Sequence, residues 1–153
     1  MTLSQTNTAP ANGLPDPLRQ AEFYDSVPTK RLIAWFLDGL IILGLTLLTL
    51  PFTLFLGLLF LMPLYAVIGF AYRVVTLSTG SATLGMRLVA IQMRQQSGHR
   101  FDLGTAFLHT LGFYVSFAIP LIQVASIVLM LTSARGQGLT DHVLGTTALN
   151  RRR

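Results

Sequence analysis

The residues most able to do chemistry in this chain are acids in unusual company. In "KRLIAWFLDGLIILG", Lys30 to Gly44, two cations open an apolar run and a carboxylate, Asp38, sits well inside it. Asp38 lies two helical turns beyond Arg31 on nearly the same face, since seven residues rotate about 700° and rise about 10 Å. Helical side chains lean toward the N-terminus, so Asp38 leans toward Arg31 while Arg31 leans away toward the headgroups, which disfavours a direct bridge between them. Its partners should then come from a second helix. A return turn near Pro51 sets position 38 level with about 65 and position 31 level with about 72, positions held by Tyr65 and Tyr72, with Arg73 beside the second. A phenol is a suitable donor to a carboxylate. Two uses of the acid stay open: a lock between helices, or a group that holds a proton or a cation in turn. A second polar group lies in "SARGQGLTDHVLGTT", where Asp141 follows a glycine-bearing loop and by itself reads as a helix cap or loop acid.

Other chemistries are excluded. The chain has no Cys, so disulfides, thiolate nucleophiles and Cys-based metal centres are absent. His99, His109 and His142 lack metal-ligand spacing, and His109 reads as an interfacial residue. "GSATLGMR" imitates a phosphate loop, but Met86 and Arg87 stand where Lys and Ser or Thr are needed. Nothing in the sequence suggests a Ser or Thr nucleophile assembled with a His–acid pair. These absences point to a non-enzymatic protein without cofactor or metal.

The elements that must position the acids are set by composition. Of 153 residues, 52% are hydrophobic and 11% charged, against about a quarter charged in soluble domains. From Gly39 through Tyr72 there is no Asp, Glu, Lys, Arg or His, a run that lipid requires and a core helix does not. Leu32 to Tyr72 as one helix would be about 60 Å long, twice the hydrocarbon core, so it must fold back. The expectation is an all-α membrane protein with a helical hairpin, spans about 31–50 and 53–73, broken at Pro51. Twelve Leu, Ile, Phe and Val residues between Leu32 and Leu50 contribute about 4–7 kcal/mol of insertion free energy, more than the roughly 2.5–3.5 kcal/mol that Asp38 costs.

A third apolar block, about 104–132, is too long for one straight span and too short for two, and Pro120 sits near its middle. A block that dips in and returns would keep all eleven cations on one side, in line with the positive-inside bias. It is therefore read as kinked or re-entrant at Pro120, with both termini inside. Between spans, "RLVAIQMR" alternates and "QSGHR" offers a turn, which predicts a small cytoplasmic β-hairpin within 87–103. "LGTTALN", Leu144 to Asn150, could add a strand to it. Residues 1–28, rich in Pro, Asn and Thr, read as a disordered cytoplasmic tail without signal-peptide features, and 151–153 as a basic tail. The net charge of +5 fits that inner-face bias better than nucleic-acid binding, because every cation lies outside the apolar blocks. Lys30 and Arg151, Arg152 and Arg153 are expected at anionic lipid headgroups.

The opening of the first span with Arg31 and Asp38, the loop "GSATLGMRLVAIQM" and the ending "GQGLTDHVLGTT" resemble the RDD family of bacterial membrane proteins over about 29–149. That family is named for one arginine and two aspartates. The resemblance implies that Arg31, Asp38 and Asp141 are its polar triad, in a bacterial inner-membrane protein. Two departures stand out: Met86 where a basic residue is common, and His142 after the second acid where Arg is usual. Molecular function is poorly defined across the family, with cation/proton antiport proposed for some members. The resemblance and the residues together lead to the expectation of a polytopic membrane protein with a buried Arg–Asp–Asp network, N-terminus cytoplasmic. Two functions compete. One is proton-coupled cation transport, which in so short a chain requires a homo-oligomer. The other is a non-catalytic module that organises a partner membrane protein or anionic lipid.

Overall fold

A computed structural model of the chain describes residues 13–151. Six α-helices and two strands are arranged in the order α1 (Val27–Thr49), α2 (Leu61–Gly80), α3 (Leu84–Leu88), β1 (Ile91–Gln95), α4 (Leu103–Ala118), α5 (Pro120–Thr132), α6 (Leu139–Leu144) and β2 (Thr146–Asn150). α1 ends just before Pro51, which cannot supply the N–H that another helical turn needs. Short 3-10 turns at Pro51–Thr53 and Leu56–Phe60 then carry the chain over, with Leu54 and Phe55 in left-handed backbone between them. The return is thus longer than a tight turn at Pro51, and α2 begins and ends later than the 53–73 expected. Pro63 falls in the first turn of α2, where its missing N–H has no helical partner to lose.

Both hairpin helices are long and apolar enough to cross a membrane, and only 22% and 6% of their most apolar stretches are buried inside the protein. Leu47, Leu48, Phe52, Leu54, Leu59 and Met62 point outward around the hairpin tip. Such a continuous apolar surface would not persist in water, and lipid is its solvent. The third block is a bent pair: α4 and α5 meet at 117° around Ile119, which is extended, with Pro120 opening α5. A hydrogen bond from Ser116 Oγ to Gln123 Oε1, 2.9 Å, ties the bend. The kink expected at Pro120 is present.

The packed core lies at the open end of the hairpin, not along its length. Val27, Ala34, Leu77, Met86, Ile91 and Met93 bury there with Phe101, Ala106 and Ala148. The small sheet is part of this core. β1 pairs antiparallel with β2, Ile91 opposite Asn150 and Gln95 opposite Thr146. The second strand is therefore the C-terminal one instead of a return within 87–103. The turn foreseen at Ser97-Gly98 does form, closed by Gly98 N–H to Gln95 O, 2.8 Å, but no strand comes after it before α4. Residues 13–26 also depart from the disordered tail expected over 1–28: Leu14 and Tyr24 bury against Leu149. Asn150 Nδ2 donates to the carbonyls of Glu22 and Asp25. The remainder of that tail lies outside the described residues.

Candidate functional site: two carboxylates around a cavity

Asp38 is 1% exposed and accepts three hydrogen bonds. Tyr72 Oη donates at 2.6 Å, Thr83 Oγ1 at 2.6 Å and the Gly85 backbone N–H at 2.8 Å. The donors come from α2 and the start of α3, so the carboxylate pins the α2–α3 corner to α1. Each donor is itself placed. Thr83 is the N-cap of α3 and accepts from Met86 N–H while donating to Asp38. Tyr72 Oη accepts from Leu84 N–H while donating to Asp38. Gly85 is required by proximity: a Cβ there would overlap the Ala34 carbonyl oxygen and lie 2.8 Å from Asp38 Oδ1.

A turn at Pro51 would set Tyr72 opposite Arg31 and Tyr65 opposite Asp38. The structure gives the acid to Tyr72 instead. Tyr65 Oη reaches the Gly39 carbonyl, 3.4 Å, and not the acid. The longer return accounts for the difference. With α1 ending at Thr49 and α2 beginning at Leu61, the hairpin is centred several residues beyond Pro51, which brings Tyr72 level with Asp38, and Gly69 lies against Ile42 in the same register. Arg73 is no partner of Asp38 either; its guanidinium carbon stacks 4.5 Å above the Phe113 ring.

Asp141, also 1% exposed, has a different set of donors. Arg31 Nη1 approaches Oδ2 at 2.5 Å, and His109 Nε2 lies 3.0 Å from Oδ1. Thr146 Oγ1 donates at 2.9 Å and Gly138 N–H at 3.1 Å. Arg31 Nη1 also reaches the Gly136 carbonyl, 3.3 Å. Burial alone would raise the Asp141 pKa, but the charge of Arg31 and the bond to His109 outweigh it and hold the carboxyl well below the ordinary range. Gly145, at φ +62°, closes α6 in left-handed backbone and turns the chain into β2, which carries Thr146 back to Asp141.

The structure thus brings Arg31 to Asp141, while Asp38 forms a separate cluster. His109, expected at the membrane interface, is instead a buried partner of Asp141, 8% exposed. Thr83, Gly85 and Thr146 are site residues that sequence reasoning misses. The sequence does carry a signal for the first, a Thr immediately before a short helix-forming stretch, which is an N-cap pattern. Lys30, expected at headgroups, has a protein partner: its Nζ donates to Asn150 Oδ1 at 2.7 Å, because β2 ends beside the first turn of α1. Arg151 is exposed, and its N–H donates to Ala90 O at 2.8 Å. Arg152 and Arg153 lie outside the described residues.

Between the two clusters is a cavity of about 540 Å³ bounded by α1, α2, α4, α5 and α6, onto which Arg31, Asp38, Arg73, His109 and Asp141 all open. Among the described residues, no cluster of three or more His, Asp or Glu is arranged to hold a metal ion.

No curated protein and no solved structure matches the chain. The family model described as "RDD family" matches residues 26–145, a stretch that holds Arg31, Asp38 and Asp141 together with Thr83 and Gly85. A membrane-type helical hairpin, the bent third block and this match lead to one conclusion: the chain belongs to the RDD family.

Proposed function

We propose that this protein is a non-catalytic, multi-pass module of the bacterial inner membrane, with its N-terminus in the cytoplasm. In this reading the Arg31, Asp38 and Asp141 network locks a cytoplasmic platform, made of α3, the β1–β2 sheet and α6, onto the open end of the hairpin. The platform presents a surface to a partner membrane protein, to another copy of the chain or to anionic headgroups. The observation that carries this reading is the engagement of Asp38 on both of its oxygens. Three neutral donors already hold its two oxygens, and a carboxylate so engaged is a poor ligand for a transported cation, which would have to displace them. The contacts of Arg31 with Asp141 and Lys30 with Asn150 favour the start of α1 and the chain's end on one side of the membrane, in keeping with the positive-inside bias.

A second reading, proton-coupled cation transport, is favoured by one feature: both carboxylates and His109 border the same cavity. Ion-flux measurements on vesicles containing the wild type or Asp38→Asn separate the two. The module reading expects no protein-dependent cation or proton flux from either, and a loss of stability in the variant. Flux in the wild type that disappears in a folded Asp38→Asn protein would overturn it. Recovery of membrane partners with and without residues 151–153 then tests whether the basic end recruits them.

A further inference from the structure

The polar groups around the cavity are unevenly satisfied. Both carboxylates have their donors, and Arg31 is committed to Asp141. The donors left over belong to Arg73 and Thr110. Arg73 Nε and Thr110 Oγ1 are buried with no hydrogen-bond partner, and both residues line the cavity. Thr110 is 1% exposed. Among the described residues no carboxylate lies within ion-pair distance of Arg73, whose guanidinium has the Phe113 face against it. A buried guanidinium nitrogen without an acceptor is costly, and buried polar groups are ordinarily paired. The occupant that satisfies this site must therefore bring acceptor oxygens and negative charge, not donors.

The mouth of the cavity indicates where that occupant comes from. Trp35, Phe117, Ile127 and Leu131 line it and are also exposed on the outer apolar surface, at 43%, 56%, 45% and 69%. The cavity is thus continuous with the surface that faces hydrocarbon, and its occupant has an apolar body as well as an anionic head. Its volume lies within the range of about 300–1,000 Å³ typical of small-molecule sites. That suits a glycerophosphate head and the start of its chains, the rest lying along the exposed residues.

We propose that this cavity binds the phosphodiester head of a membrane glycerophospholipid, with the Arg73 guanidinium as its main ligand and the Thr110 hydroxyl as a second donor. A guanidinium fork matches phosphate oxygens in bidentate fashion, and the Phe113 ring behind it fixes the plane from which the fork projects.

The test is native mass spectrometry of the intact chain, extracted in mild detergent and exposed to phosphatidylglycerol, phosphatidylethanolamine or inorganic phosphate. The wild type is expected to retain one phospholipid per chain. Arg73→Gln should lower retention by about tenfold or more, the loss of a charge-assisted contact, and Thr110→Val should lower it less. Thr110→Val keeps the side-chain shape and leaves the fold intact, so it tests the site even if Arg73→Gln fails to fold. Equal lipid retention by wild type and both variants overturns the proposal, as does the absence of bound lipid from the wild type. Saturation by inorganic phosphate alone, with no gain from acyl chains, would show that the site takes a free anion and refute the lipid assignment.

Discussion

Replacing Asp38 with leucine removes the acceptor for three donors while keeping a side chain of similar size. Two of those donors, the Thr83 hydroxyl and the Gly85 N–H, belong to buried residues. Each orphaned buried donor costs about 1–3 kcal/mol, so together they cost about 2–6 kcal/mol, less whatever is recovered by no longer burying a carboxylate. Tyr72 adds less, because its residue is only half-buried. For a chain of this size the loss corresponds to a fall in Tm of roughly 5–20 °C. Asp38→Asn is the milder change. Its oxygen still accepts from Tyr72 and Gly85, but its amide faces Thr83 Oγ1, which already accepts from Met86. One charge-assisted bond is lost, about 1.5–3 kcal/mol. Thermal unfolding of purified protein in detergent should therefore rank wild type above Asp38→Asn above Asp38→Leu. Thr83→Val in the Asp38→Leu background should cost less than in the wild type, since the bond it removes is already gone. A leucine variant as stable as the wild type, or strictly additive costs in the double variant, would refute the role assigned to Asp38.

Two further outcomes are expected from the other contacts. The Asp141 carboxyl is held below its ordinary value by Arg31 and His109 against the opposing effect of burial. Its contribution to stability is therefore complete above the unfolded value of about pH 4 and is lost as pH falls from there toward the lower folded value. The difference in Tm between wild type and Asp141→Asn should shrink across that acid window, and a constant difference contradicts the pairing. Gly85→Ala should destabilise by about 1–3 kcal/mol, because the added Cβ would overlap the Ala34 carbonyl oxygen; an unchanged melting temperature would show that α3 does not lie as close to α1 as the structure has it.

The parts of the fold legible in the sequence are those set by solvent and by proline. An uninterrupted apolar run leaves only membrane-crossing helices as an outcome, and Pro51 and Pro120 break their segments where pyrrolidine rings must. The polar contacts are legible only in kind. Asp38 does meet a phenol from the returning helix, but a turn at Pro51 selects Tyr65, and the longer return that the chain makes selects Tyr72. Thr83 and Gly85 cannot be placed without knowing that α3 folds back onto α1, a long-range event with no local period to announce it. His109 carries no spacing signal, because its partner Asp141 comes from a different helix and the two meet only once the α4–α5 bend is made. The sheet shows the same limit. Alternation in "RLVAIQMR" marks a strand, but which strand pairs with it is decided by where the C-terminus returns.

The spacing of Arg31 and Asp38 on α1 gains a meaning from these contacts that neither residue has alone. They share nearly one face, two turns apart, yet they do not bind each other. Arg31 grips α6 through Asp141, and Asp38 grips the α2–α3 corner through Tyr72, Thr83 and Gly85. Apolar contact could not do this work well at a membrane boundary. A side chain that leaves a protein contact there can exchange it for lipid at little cost, so apolar packing holds elements weakly and at no fixed register. A carboxylate that leaves its donors in the same place has nothing to replace them, and neither do the donors. The docked arrangement is thereby separated from sliding alternatives by an energy that rises steeply with displacement. One helix face carrying a cation and an acid two turns apart can fix two segments independently, and the cavity is the space left between those two attachment points.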